Sequence, residues 1–296
     1  MIKLILFVVV ILALVMNMRV IVLILTEPQF FPLLFKDIYF YFKHKRYNEC
    51  PEYGKIRLNC ACGSHVFGSG KTLDIVKTAL DIYRKYDGLQ VWDKDVKKFV
   101  TQRIHIISNV QIFGVHYIPF KDIGQLIEIE KYKFGSMDVT IFLLDESGAI
   151  FNSRDYKNNI SPEFLTSLLQ SRKNKVALYM TSQRFIFTDK ILREICGIVN
   201  ECKMFWRIVT IKSYDAYQLE NAINSSLIVP KKVRLWLAKD SDYASYNSYQ
   251  LIENMRKTYE PGKYLSTDEI LAKSSADGNL DRVTTLKKIY RKDNKK

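Results

Sequence analysis

The stretch "CGSHVFGSGKTLDIVK", residues 62 to 77, decides the fold class of this chain. It follows a predicted strand, "KIRLNCAC", and passes through Gly-Lys-Thr into a segment whose apolar residues have helical spacing. A phosphate-binding loop needs a backbone that approaches closely, inward-pointing amides and a helix N-terminus directed at the anion. The stretch therefore predicts a phosphate-binding loop between a strand and a helix.

Each residue type in this loop suits one part of that task. The two glycines give the backbone freedom, the lysine supplies a cation for the terminal phosphates, and the threonine offers a hydroxyl to Mg²⁺. His65 stands where such a loop normally begins with glycine, and we expect Gly63 to provide the turn instead. The predicted nucleotide-binding residues are Gly68, Ser69, Gly70, Lys71 and Thr72.

Two adjacent acids close an apolar run further along the chain. "VTIFLLDE", residues 139 to 146, is typical of a strand buried on both faces and ends in Asp145 and Glu146. We expect Asp145, at the end of a neighbouring strand, to bind Mg²⁺ together with Thr72, and Glu146 to act as general base towards water. The alternative is a strand that simply ends at a polar loop.

The remaining catalytic candidates follow or precede the next buried strand, residues 175 to 183. Gln183 ends that strand, where open α/β sheets bind ligands, and is predicted to contact the γ-phosphate or orient water. A surface glutamine is the other interpretation. Hydrolysis also needs positive charge, often from a neighbouring subunit. Arg172 is the first candidate for it, and the others are Arg154, Arg184 and Arg193.

Strands and helices alternate from residue 54 to residue 205, which predicts an α/β fold with a mostly parallel sheet covered on both faces. This segment is the predicted RecA-like P-loop core. Residues 206 to 273 are predicted either to extend it or to form a small subdomain. Residues 274 to 296 end in "LKKIYRKDNKK" and are predicted to be a basic mobile tail.

The N-terminus has a different composition. Residues 4 to 25 are apolar except for Asn17 and Arg19, and as a helix they would extend about 33 Å, enough to cross a bilayer. We predict a transmembrane anchor over residues 1 to 27 and an interfacial linker over 28 to 53. Basic residues follow the span, so the positive-inside rule places the rest of the chain in the cytoplasm as a single-pass protein.

The net charge of +14 favours a polyanionic partner, either nucleic acid or the acidic inner face of a membrane. A solvated basic surface would have the same composition. The five cysteines show no disulfide framework, and the four histidines show no metal-ligand spacing.

The order of these segments resembles the Zot (zonular occludens toxin) family, the assembly ATPases of filamentous phages, which are relatives of the FtsK–HerA class of DNA pumps. The resemblance covers residues 54 to 205 and is most specific at "FLLDESGAIFNSR" and "TSQRF". It departs from the family at His65 and in placing the membrane segment before the ATPase core rather than after it.

The resemblance implies ATP and Mg²⁺ as cofactors, with Lys71, Thr72, Asp145, Glu146 and Gln183 in the family's roles. It also implies a homo-oligomeric ring at the host cell inner membrane that extrudes phage DNA, single-stranded DNA being favoured, with other phage assembly proteins as partners. A double-stranded DNA packaging or conjugation translocase is the alternative motor. A nucleotide-gated membrane scaffold with slow hydrolysis is another class, and a P-loop kinase is a third.

Overall fold

The computed structural model describes residues 26–27, 29–63, 67–132, 135–151, 161–222 and 227–247. Several predictions fall on residues outside these ranges. They concern the apolar segment 4–25, His65, Arg154, the residues from 248 to 273 and the basic tail 274–296.

The elements of the described residues follow one another in an alternating order. The helices are α1 Phe30–Lys43, α2 Lys71–Tyr86, α3 Gly124–Ile127, α4 Ser147–Ile150, α5 Pro162–Leu169, α6 Lys190–Ile195, α7 Ala216–Asn221 and α8 Asp240–Tyr243. The strands are β1 Ile56–Ala61, β2 Gln90–Asp93, β3 Lys98–Thr101, β4 Ile104–Ser108, β5 Gln111–Ile112, β6 Ile118–Pro119, β7 Val139–Leu144, β8 Val176–Ser182, β9 Ile198–Phe205, β10 Ile208–Asp215, β11 Lys232–Leu237 and β12 Tyr246–Asn247.

The main sheet has the strand order β11-β10-β9-β1-β8-β7-β4-β6. The six strands from β9 to β6 are parallel to their neighbours, whereas β10 and β11 pair in antiparallel fashion. The predicted α/β fold with a mostly parallel sheet is thus confirmed. One detail of the prediction is wrong: β7, which carries the two acids, is not next to β1, because β8 lies between them.

The central strands are buried along their whole length, as the apolar runs predicted. Every residue of β7 and of β8 is buried, because helices cover both faces of the sheet. On one face, α2 packs Val76 and Leu80 against Ile141 and Tyr179. The opposite face is covered by side chains of α3, α5 and α6, namely Leu126, Phe164, Leu168 and Leu192.

Helix α2 follows the Gly-Lys-Thr sequence, as the apolar spacing predicted, and runs from Lys71 to Tyr86. Gly70 precedes it in the left-handed region with φ 83°, a conformation that favours glycine over residues with a Cβ. Its buried stripe consists of Leu73, Val76 and Leu80. The positive charges of Arg84 and Lys85 in the last turn stabilise the negative end of the helix dipole. The helix therefore begins at the phosphate loop and runs back along the sheet.

The described part of the C-terminal region extends the core sheet rather than forming a separate unit. The chain turns at Trp206, which has φ 55°. Strands β9 and β10 therefore form a hairpin, and β11 completes the edge. The β2–β3 hairpin was not predicted, because its two four-residue strands alternate weakly and surround a charged turn.

Within the described ranges, none of the helices combines the length and the apolar character that crossing a bilayer requires. The predicted span over residues 4 to 25 lies outside those ranges.

The packing of the sheet yields a stability prediction. Leu178 in β8 is 1% exposed, whereas Leu169 at the end of α5 is 67% exposed. We expect Leu178→Ala to lower the free energy of unfolding by about 2–5 kcal/mol through lost burial and a cavity, and Leu169→Ala to change it by less than about 0.5 kcal/mol. Urea denaturation of both variants measures this difference. Equal effects would show that Leu178 is not part of the core.

Candidate nucleotide site

The parallel strands end at one edge of the sheet and bring the predicted residues together there. The phosphate loop follows β1, Gln183 follows β8, and Asp145 and Glu146 follow β7. Asn109 follows β4 at the same edge. Such an edge is where open α/β sheets bind ligands.

The phosphate loop has the backbone that its glycines predicted. Gly63, Gly68 and Gly70 have φ values of 61°, 66° and 83°, all in the left-handed region. Lys71 is only 7% exposed, and its Nζ lies 3.4 Å from Ser69 Oγ. A lysine is almost never buried this deeply without an anionic or polar environment. Its ammonium is therefore kept inside the loop, where a phosphate would lie.

The two residues predicted to bind Mg²⁺, Thr72 and Asp145, contact each other directly. Thr72 Oγ1 donates a hydrogen bond to Asp145 Oδ1 at 2.8 Å, although 73 positions separate the two residues in the chain. A hydroxyl and a carboxylate oxygen are ligands that Mg²⁺ accepts. The residues present therefore fit a magnesium ion at this point, between the first turn of α2 and the end of β7.

Two further side chains hold Asp145 in place. Asn109 makes a reciprocal pair with its backbone: Asn109 Nδ2 donates to Asp145 O and Asp145 N donates to Asn109 Oδ1, each at 2.8 Å. Thr181 Oγ1 in β8 donates to Asp145 Oδ1 at 2.5 Å. The intervening strand β8 thus contributes a hydroxyl that contacts both acids, the carboxylate of Asp145 and the N–H of Glu146.

Glu146 has a strained backbone and a perturbed carboxyl. It adopts φ 51°, in the left-handed region that residues with a Cβ rarely adopt. Its N–H donates to Thr181 Oγ1 at 2.9 Å, and Ser147 Oγ donates to Thr181 O at 2.7 Å. Desolvation raises the pKa of Glu146, the negative charge of Asp145 raises it further, and the charge of Lys71 opposes both. A raised pKa suits a general base that works near neutral pH.

The other two predicted catalytic residues, Gln183 and Arg172, lie at opposite edges of the sheet. Gln183 is at the correct edge, and its carbonyl accepts from Ala61 N at 3.4 Å beside the phosphate loop. Arg172 is at the opposite edge: Ser171 next to it pairs with Val176, the first residue of β8. A seven-residue strand of about 20 Å separates it from the site. Arg172 cannot act within its own subunit, and a role in a neighbouring subunit stays a prediction.

Two of the other candidate arginines, Arg184 and Arg193, lie within the described residues. Arg184 is exposed immediately after Gln183. Arg193 is paired with Glu220 at 2.9 Å and is largely buried, so it stabilises the packing of α6 against α7. Of these two, Arg184 is better placed to contact a phosphate.

Sequence reasoning missed the two residues that hold the acids, Asn109 and Thr181. A signal was present, since both are polar residues at the ends of buried apolar strands. The sequence does not show the strand order, however, and only the insertion of β8 between β1 and β7 makes Thr181 a neighbour of Asp145.

The role of Thr181 can be tested by removing its hydroxyl alone. We expect Thr181→Val to lower the rate of nucleotide hydrolysis and to raise the Mg²⁺ concentration needed for half-maximal rate, because Asp145 loses a partner and the Glu146 N–H is left unsatisfied. A titration of Mg²⁺ at saturating nucleotide measures both changes.

Thr140 in β7 provides a matched control. It is also fully buried, and its Oγ1 has no hydrogen-bond partner among the described residues. Thr140→Val should leave both quantities unchanged. An unchanged Mg²⁺ requirement in Thr181→Val would contradict the positioning role.

The fold and the site together define a nucleoside triphosphatase of the P-loop class. Several solved structures are similar to this chain. The N-terminal domain of zonular occludens toxin from Neisseria meningitidis has a TM-score of 0.44 and 15% identity, with 66% of this chain and 100% of that chain covered. It comes from the family that the sequence motifs resemble.

Two other neighbours are viral and bacterial ATPases. The genome packaging NTPase B204 from Sulfolobus turreted icosahedral virus 2, in complex with ATP-gammaS, has a TM-score of 0.37 and 11% identity, covering 63% of this chain and 98% of that chain. EssC (ATPases 2 and 3) from Geobacillus thermodenitrificans has a TM-score of 0.35 and 14% identity, covering 82% of this chain and 45% of that chain. No protein-family model matches the chain, and no curated protein matches its sequence. The TM-scores are low, and the class assignment follows from the site's own residues.

Proposed function

We propose that this protein is a membrane-anchored ATPase that couples ATP hydrolysis to filamentous phage assembly and DNA extrusion at the cytoplasmic membrane. The observation that carries the proposal is the hydrogen bond between Thr72 and Asp145. It brings a phosphate loop and a carboxylate from distant parts of the chain to one point, with Glu146 beside them.

The residues of the site divide the work of hydrolysis. Backbone amides from Gly68 to Thr72 and the ammonium of Lys71 bind the phosphates. Thr72 and Asp145 would hold Mg²⁺, which supplies positive charge to the phosphate oxygens when bound. Glu146 accepts a proton from the attacking water, and Gln183 is placed to orient that water.

Charge supports a nucleic-acid partner. The chain carries a net charge of +14, and contacts between lysine or arginine and phosphate supply most sequence-independent binding to DNA. The similar structures include a genome packaging NTPase. We favour single-stranded phage DNA as the substrate, and double-stranded DNA is the alternative.

A ring of subunits would complete the site. Arg172 lies at the far edge of its own sheet from the phosphate loop, so it could reach only the nucleotide of another subunit. Arginine supplied from a neighbour stabilises charge in the transition state of many P-loop enzymes. We therefore retain a homo-oligomeric ring, and other phage assembly proteins as its partners.

The experiment is ATP hydrolysis by the full chain in vesicles, without DNA and with single- or double-stranded DNA. We expect DNA to stimulate ATP hydrolysis. A preference for single-stranded DNA would support extrusion, and a preference for double-stranded DNA would support packaging. Nucleotide binding with no turnover under any condition would favour the scaffold. Phosphate transfer to an added acceptor, with no release to water, would favour a kinase.

A further inference from the structure

Helix α1 exposes a broad apolar face. Phe35, Tyr39 and Phe42 have the i, i+4, i+7 spacing that places them on one side of the helix, and Phe35 and Phe42 are 66% and 64% exposed. Lys36 and Lys43 are exposed beside this face, and such a helix is typical of a membrane interface. Its 14 residues extend about 21 Å, which is too short to cross a bilayer.

A rigid contact fixes α1 to the β2–β3 hairpin. His44 at the end of α1 stacks on Trp92 of β2, with ring centroids 4.4 Å apart and an interplanar angle of 2°. Trp92 in turn meets Phe99 of β3 edge to face at 5.2 Å, and Lys45 Nζ lies 5.9 Å from the Phe99 ring. The orientation of the hairpin is therefore coupled to that of the helix.

The turn of this hairpin presents lysines in a defined geometry. Asp93 Oδ1 accepts hydrogen bonds from the N–H groups of Asp95 and Val96, at 2.8 and 3.3 Å. Lys94, Lys97 and Lys98 are all exposed around this turn. The turn end of the hairpin thus carries three exposed cations.

The charge of this region is strongly one-sided. Exposed cations lie along α1, after it and around the turn, whereas the exposed acids of residues 26–46 and of the hairpin are Glu27, Asp37 and Asp95. The exposed cations are Lys36, Lys43, Lys45, Arg46, Lys94, Lys97 and Lys98. Exposed aromatic rings next to such an excess of cations match a membrane interface with anionic headgroups.

We propose that α1 and the β2–β3 hairpin form one surface that lies on an anionic lipid bilayer, α1 in the interface and the hairpin lysines on the headgroups. This surface rests on the proposed membrane anchoring, because the apolar segment 4–25 leads directly into α1. Helix α2 runs for 16 residues, about 24 Å, from the phosphate loop towards the hairpin. The hairpin thus lies at the opposite edge of the sheet, and the nucleotide site faces away from the membrane.

Quenching of Trp92 fluorescence by brominated lipids tests the surface. The full chain with Trp206→Phe and Trp236→Phe retains Trp92 as its one tryptophan, and it is reconstituted into phosphatidylglycerol or phosphatidylcholine vesicles. We expect quenching in the anionic vesicles. Replacing Lys94, Lys97 and Lys98 with glutamate should reduce the quenched fraction by more than about half, since each lysine near an anionic surface adds to binding.

The matched control replaces three exposed lysines of strands β9, β10 and β11 with glutamate, namely Lys203, Lys212 and Lys232. This variant should keep the quenching of Trp92. Equal quenching in the two lipids, or equal loss in both triple variants, would overturn the anionic surface. Carbonate extraction separates the two proposals. A chain that carbonate releases contradicts membrane anchoring, whereas a retained chain with unquenched Trp92 contradicts only the surface.

Discussion

Lys71→Ala is expected to reduce ATP hydrolysis by at least about 10²-fold, which is the usual cost of removing one group that stabilises transition-state charge. Lys71 is nearly buried beside Ser69 inside the phosphate loop, so its removal takes a cation out of the loop itself. Nucleotide affinity should fall as well, because the ammonium contacts the phosphates before and during hydrolysis. Initial rates and equilibrium binding of a fluorescent ATP analogue measure the two effects.

Lys85→Ala is the control for this variant. Lys85 lies in the last turn of the same helix, is exposed and contacts the ring of Tyr86. Its removal deletes one positive charge from α2 without touching the loop, and both quantities should stay close to those of the wild type. If Lys71→Ala retained full activity, the loop would not be a nucleotide site and the proposed function would be wrong.

Much of this site could be predicted because local patterns specify it. The start of α2 follows from Gly-Lys-Thr and the apolar spacing after it. The burial of β7 follows from an unbroken apolar run, which only a strand covered on both faces tolerates. Parallel strands place their carboxyl ends together, so the sequence predicts Lys71, Asp145 and Gln183 at one edge of the sheet.

What could not be predicted depends on which strands are neighbours. The insertion of β8 between β1 and β7 decides that Thr181 contacts Asp145, and no local pattern encodes that order. The contact of α1 with the β2–β3 hairpin could not be predicted either, because it joins residues far apart in the chain, His44 and Trp92.

Glu146→Gln is expected to lower the rate of ATP hydrolysis by about 10²–10⁴-fold, the usual contribution of a general base, while nucleotide binding persists. Glutamine keeps the size of the side chain but cannot accept the proton of the attacking water. The wild-type rate should fall as pH drops through the raised pKa of Glu146, at a higher pH than for an ordinary glutamate. The residual rate of the variant should lack this dependence.

The raised pKa of Glu146 also predicts that Glu146→Gln stabilises the fold, although it slows hydrolysis. A raised pKa means that the folded state favours the protonated carboxyl, so ionised Glu146 destabilises the fold at neutral pH and this cost disappears as pH falls. Glutamine resembles the protonated form, so the variant should unfold at a higher temperature than the wild type at neutral pH. The difference should shrink as pH is lowered through the pKa of Glu146.

Glu163→Gln, at an exposed position in the first turn of α5, is the matched control and should change neither the hydrolysis rate nor this pH dependence. Loss of activity together with a gain in stability is a combination that damage to the fold cannot produce, since damage lowers both. An active Glu146→Gln enzyme would place the base elsewhere. An inactive variant without the gain in stability would mean that Glu146 supports the site structurally rather than by accepting a proton.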